Sequence, residues 1–196
     1  MMAGRILTVP NQITLLRLGF LPLFIIAILY DHYRWALLLL ILAGLTDLFD
    51  GLLARRLGQR TALGAYLDPV ADKLLLSSSF VLLAVKAKLD WWLAILVLGR
   101  DLLILAVSAA ILLVVHYREF PPSLYGKANT LCQILLVLAV LANEVAPVRW
   151  LAGMVTVFVY LVAAFTVISG LHYAVVIAQR LSQQHEPTRP KPHGTG

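Results

Sequence analysis

With 196 residues, 61% of them hydrophobic and 13% charged, and a mean hydropathy of +0.87, the chain is far too apolar for a soluble domain. Its length leaves room for one domain of roughly six membrane spans at about 20 residues each, and none for a large extramembrane domain. The net charge of +6 is spread over positions between apolar runs, which argues against a nucleic-acid partner and for anionic lipid headgroups. Cys132 is the only cysteine, so no internal disulfide can form.

In chain order, the apolar runs predict spans near 12–30, 35–57, 66–86, 91–116, 124–143 and 150–178. The first run looks like a signal peptide, but Arg17 interrupts it and no small-residue cleavage site follows, so it reads as a retained span. Arg55, Arg56 and Arg60 follow the second span, and Arg118 and Lys127 lie around the fourth connection. The opposite side carries Arg34, Lys86, Lys88 and Arg149. That asymmetry, together with the basic ends, predicts cytoplasmic termini. Trp91, Trp92, His116 and Tyr117 fall at span ends and read as interfacial anchors, and His172 as a packing residue. Residues 1–180 form the six-helix domain on this reading. The Pro-rich 181–196 reads as a disordered cytoplasmic tail.

Five of the ten acidic residues fall inside predicted spans: Asp47, Asp50, Asp68, Asp72 and Asp101. An ionised carboxylate at the bilayer centre costs about 2.5–3.5 kcal/mol, so four left uncompensated would cost on the order of 10–14 kcal/mol, as much as a whole domain's stability. Asp101 has a bland explanation in its neighbour Arg100. The other four do not, because Asp47 and Asp50 are three apart, Asp68 and Asp72 four apart, and each pair projects from one face of its helix. Gly51 and Ala54 share the first face and Gly64 precedes Asp68 by one turn. Two antiparallel helices joined by the basic turn around "RRLGQR" are expected to gather the four acids beside a notch. All-oxygen ligation suits hard divalent ions such as Mg²⁺, Mn²⁺ or Ca²⁺, and two of them would cancel the charge. Two metals with arginine nearby also suit a diphosphate.

The stretch 47–72 resembles the signature of the CDP-alcohol phosphatidyltransferase family, D-x2-D-G-x2-A-R-x8-G-x3-D-x3-D, with Asp47, Asp50, Gly51, Ala54, Arg55, Gly64, Asp68 and Asp72 at its fixed positions. The resemblance implies an all-α, six-helix membrane fold, a homodimer, a cytoplasmic site in a membrane such as the bacterial inner membrane, two Mg²⁺ or Mn²⁺ ions, and a CDP-linked lipid. It implies that Asp47, Asp50 and Asp68 ligate metal, with Asp72 joining them or acting as base. It further implies that Gly51 and Ala54 admit the cytidine nucleotide and that Arg55 steadies the diphosphate, with Asp47, Gly64 and Asn11 also on the CDP-lipid side. An acceptor hydroxyl would then attack the lipid-side phosphorus of CDP-diacylglycerol and CMP would leave, with Asp72 as candidate general base.

For the acceptor, "VPNQITLLRL" at 9–18 looks like the opening of glycerophospholipid-making members. Asn11 could equally cap a helix after Pro10, and Arg17 could snorkel. Phosphatidylglycerophosphate synthases of the family typically carry Gly-Lys-x-Lys-Thr before the fifth span. Here "GKANT" at 126–130 puts Asn129 at the second lysine, which weakens the case for a dianionic phosphate. "LAGLTDLFDG", "GRDLLI" and "PSLYGKANTLCQI" look more like cardiolipin synthases, which use phosphatidylglycerol. That acceptor is placed ahead of glycerol 3-phosphate. Arg17, Lys73, Arg100, Arg118 and Lys127 are the candidate acceptor contacts, with Lys73 also a possible counter-ion for the carboxylates. A cation transporter is the non-enzyme alternative, and it predicts acids strung along a conduit.

Overall fold

A computed structural model describes residues 9–57, 62–115 and 124–184, with the side chains of 16–46, 71–106 and 126–171. The described residues form six helices and no strand: α1 (Val9–Leu29), α2 (Tyr33–Leu57), α3 (Ala62–Val85), α4 (Trp91–Val115), α5 (Leu124–Val145) and α6 (Arg149–Gln184). Leu- and Ala-rich runs propagate helix well, and the predicted spans match these elements to within a few residues at most ends. α6 departs furthest, running to Gln184 and so four residues into the segment expected to be tail. No Pro or Gly interrupts "AQRLSQQ" before Pro187, so nothing stops the helix there. Because α1 already includes Val9, Asn11 sits in its first turn instead of capping it.

Two of the connections are built alike. His32 N–H donates to the Ala27 carbonyl at 2.7 Å and Asp31 N–H to Ile28 at 3.1 Å, while Lys88 N–H donates to Leu83 at 2.8 Å and Ala87 N–H to Ala84 at 3.0 Å. Both are Schellman ends, with Asp31 (φ 60°) and Ala87 (φ 54°) in the left-handed position that glycine usually takes. Lys86 then ties the two turns together, pairing with Asp31 at 2.7 Å and donating to the Leu29 carbonyl at 3.0 Å. Lys88 pairs with Glu144 at the end of α5 at 2.6 Å.

The helices close a ring: α1 packs on α2 and α3, α2 on α5, α5 on α6, α6 on α4, and α4 on α3, with α3 also touching α5 across it. Among the described residues α2 and α3 do not pack on each other directly. α1 and α5 each touch both of them. The core consists of one stripe per helix, and its half nearer the 30–32 and 86–90 connections is apolar: Phe24, Ile28, Leu40, Phe80, Leu83, Leu136 and Leu141. Toward the opposite end the same stripes turn polar, with Arg17, Asn129, Gln133, Thr166 and Ser169 all buried. Gly126–Val145 of α5 and Arg149–Leu171 of α6 are, among the described residues, the stretches long and apolar enough to cross a membrane. Large apolar side chains such as Leu23, Ile95, Leu102, Leu105, Tyr160 and Leu171 face outward on α1, α4 and α6, as they would against lipid.

Candidate active site

The signature residues fall on α2 and α3. On α2 the buried stripe Ala36, Leu40, Ala43 continues at helical period onto register positions 47, 50 and 54. On α3 the stripe Leu75, Ala71 runs back onto 68 and 64. The side chains of Asp47, Asp50, Gly51, Ala54, Arg55, Gly64, Asp68 and Asn11 lie outside the described set, and Arg118 lies outside the described residues altogether. Asp72 is the signature carboxylate whose surroundings are described.

Asp72 is held by α1. Arg17 Nη1 donates to Asp72 Oδ1 at 2.6 Å, with the Arg17 side chain 1% exposed and that of Asp72 45%. Arg17 therefore does not reach outward along the helix, as a snorkelling arginine would. It lies about 12 Å along α1 and Asp72 about 15 Å along α3, measured by helical rise from their starts. The helix that separates α2 from α3 thus supplies the cation for the last carboxylate of the signature.

A second ionic group sits on α4. Asp101 accepts from Arg100 Nη1 at 2.7 Å and from Lys73 Nζ at 3.0 Å. Arg100 Nη2 also donates to Ser169 Oγ on α6, linking α3, α4 and α6. The bland reading of Asp101 as a partner of Arg100 is the one the structure shows, and Lys73, expected beside the signature acids, reaches Asp101. Lys127 is exposed. Two residues further on, and so on the opposite face of α5, Asn129 is buried and accepts from Thr166 Oγ1 at 3.0 Å. Gln133, one turn beyond, is buried too. The sequence reading missed Gln133, Thr166 and Ser169; the signal available was a polar residue spaced by one turn from another inside an apolar run.

Among the described residues no three His, Cys, Asp or Glu side chains are gathered as a metal site. The signature's donor set is nevertheless carboxylate only, and such oxygens fit a hard divalent ion.

Residues 7–179 match the CDP-alcohol phosphatidyltransferase family over nearly the whole described chain. The chain belongs to the CDP-alcohol phosphatidyltransferase family. Its members are enzymes, and the family activity is this protein's. The chain is 35% identical over 178 residues to a protein of Mycobacterium tuberculosis named "Probable phosphatidylglycerophosphate synthase", covering 87% of this chain and 81% of that one. It is 34% identical over 163 residues to the cardiolipin synthase (CMP-forming) of Streptomyces coelicolor, covering 79% and 73%. It is 33% identical over 174 residues to the CDP-diacylglycerol--glycerol-3-phosphate 3-phosphatidyltransferase of Sodalis glossinidius, covering 85% and 93%. These relatives of the phosphatidyltransferase thus carry different names, two for glycerophosphate-type transfer and one for cardiolipin synthesis.

Proposed function

We propose that the protein transfers the phosphatidyl group of CDP-diacylglycerol to a hydroxyl of phosphatidylglycerol, giving cardiolipin and CMP. The observation that carries the transfer reading is the buried Arg17 gripping Asp72, which puts a fixed cation and a half-exposed carboxylate at the depth of the signature positions. Asp47, Asp50, Asp68 and Asp72 would hold two divalent ions, Mg²⁺ or Mn²⁺, whose charge steadies the diphosphate when bound. Gly51 and Ala54 leave room for the nucleotide and Arg55 pairs with the diphosphate. Asp72 takes the proton from the attacking hydroxyl as the new P–O bond forms, and the bond to CMP breaks with CMP keeping the electron pair. Arg17 positions that carboxylate.

The protein sits in the membrane as six spans, as a homodimer, with residues 1–180 as the transferase domain. Both termini and the site face the cytoplasm, as in a bacterial inner membrane. Support comes from the outward apolar surface and from the far-side lysines Lys86 and Lys88, each neutralised by an acid.

Glycerol 3-phosphate is the second reading, favoured by the names of the Mycobacterium and Sodalis relatives. Against it stands the neutral, buried Asn129. Ion transport is disfavoured by the sealed apolar half of the core, which offers a cation no polar path among the described residues. Proteoliposomes given CDP-diacylglycerol and each acceptor in turn decide the matter: cardiolipin is expected, and product from glycerol 3-phosphate alone overturns the acceptor assignment.

A further inference from the structure

Two buried amides have no role in the chemistry above. Asn129 is 0% exposed and Gln133 2%, and among the described residues neither Asn129 Nδ2 nor Gln133 Nε2 has a hydrogen-bond acceptor. Nearly all buried N–H groups in folded proteins are paired, so two orphans one turn apart on one helix face call for an explanation. That face is the stripe Asn129, Gln133, Leu136, Val137, Val140, Leu141, which α5 turns toward its neighbours α2, α3 and α6. α5 is therefore packed on both helices that carry the signature carboxylates, and its two amides sit at the polar end of the stripe. A third orphan, Arg100 Nε on α4, lies in the guanidinium that donates to Ser169, one turn along α6 from the Thr166 that donates to Asn129. Each of these three atoms is a donor.

Orphan donors await oxygen. We propose that Asn129 and Gln133 form the headgroup subsite for the acceptor, donating to the phosphodiester and glycerol oxygens of a phospholipid. This rests on the phosphatidyl-transfer reading and adds the determinant of acceptor choice. A neutral amide offers direction without charge, which matches a singly charged diester. A phosphate monoester, nearly dianionic, is better met by lysine. Thr166 holds the Asn129 carbonyl and so turns its NH₂ group toward the acceptor.

The test uses the full chain in proteoliposomes, with KM measured separately for CDP-diacylglycerol, phosphatidylglycerol and glycerol 3-phosphate. Gln133→Met keeps length and removes the donor. It is expected to raise KM for phosphatidylglycerol about 3- to 10-fold, the worth of one hydrogen bond, with KM for CDP-diacylglycerol unchanged. The ligand-free protein should melt no lower, because an unpaired amide has been removed. Asn129→Lys is expected to shift the ratio of kcat/KM values toward glycerol 3-phosphate by about tenfold or more. An active wild type whose Gln133→Met variant keeps its acceptor KM, or loses affinity for both substrates equally while melting lower, shows packing amides and overturns the subsite alone. A wild type that releases no CMP with any acceptor overturns the transfer reading and the subsite with it.

Discussion

Arg17 and Asp72 are joined across α1 and α3 by a 2.6 Å contact whose two ends differ in environment, the guanidinium enclosed and the carboxylate half open. Removing either partner should therefore have unequal consequences. Asp72→Asn weakens one charged hydrogen bond of an enclosed guanidinium and is expected to cost about 2 kcal/mol. Arg17→Met leaves a carboxylate that water can reach, and should cost less. Thermal unfolding in detergent measures both. Turnover separates the catalytic assignment, since an Asp72→Asn enzyme with near-normal rate and intact metal binding would remove Asp72 as the base.

The signature acids carry a separate expectation. Asp47→Asn, Asp50→Asn and Asp68→Asn should each lower turnover at least about 100-fold, as should a chelator, with activity restored by Mg²⁺ or Mn²⁺. The same variants should lose metal-dependent protection by CMP in a melting assay. Protection that survives all three substitutions would mean the ions are held elsewhere.

Asp101 serves two cations of unequal exposure, with Lys73 at 43% and Arg100 at 10% of their side-chain surface. Asp101→Asn is expected to cost about 2 kcal/mol, since it strips an acceptor from a nearly buried guanidinium. Lys73→Met should cost less than about 1 kcal/mol, as for other solvated pairs. A double-mutant cycle on Lys73 and Asp101 that gives a coupling above that of Arg100 and Asp101 would reverse this ranking.

Ala87 occupies a left-handed conformation with φ 54°, which costs an L-residue roughly 1–2 kcal/mol. Ala87→Gly is expected to raise stability by about 1 kcal/mol. Asp31→Gly relieves the same strain yet removes the acceptor of Lys86 and Tyr33, so its gain should be smaller or reversed. Equal stabilisation by the two would show that the Asp31 contacts contribute nothing.

Asp31 and Tyr33 lie outside the predicted spans and give the far end its pH response. The hydrogen bond from Lys86, then that from Tyr33, lowers the Asp31 pKa below its ordinary 3.8. The stabilisation is fully present above that value and is lost as the pH falls through the lowered one. Tyr33 runs the other way: burial first, then its bond to Asp31, raises the phenol above its ordinary 10.0. Its contribution holds below pH 10.0 and is lost as the pH climbs toward the raised value. Unfolding curves for Asp31→Asn should lack the acid limb, and those for Tyr33→Phe the alkaline one.

The helices were legible because lipid-length apolar runs admit few alternatives, and the signature was legible because its spacing follows the helical period. How α2 and α3 come together was not. Sequence adjacency named no helices flanking the two, whereas over the described residues α1 and α5 each touch both, and Arg17 reaches Asp72 from α1. Asn129 stood out by its type, but Gln133, Thr166 and Ser169 could not be ranked until burial separated an inward face from an outward one. Ala87 gave no sign of a left-handed turn, since glycine is the usual marker and none is there.

A core plugged with Phe24, Phe80 and Leu83 at one end and polar at the other gives the reaction a direction in space. In the transfer reaction proposed above, donor, acceptor and newly made lipid would then all come and go through a single leaflet. Bilayer growth fed by such a reaction would be lopsided, and evening it out would fall to a flipping step carried by another molecule.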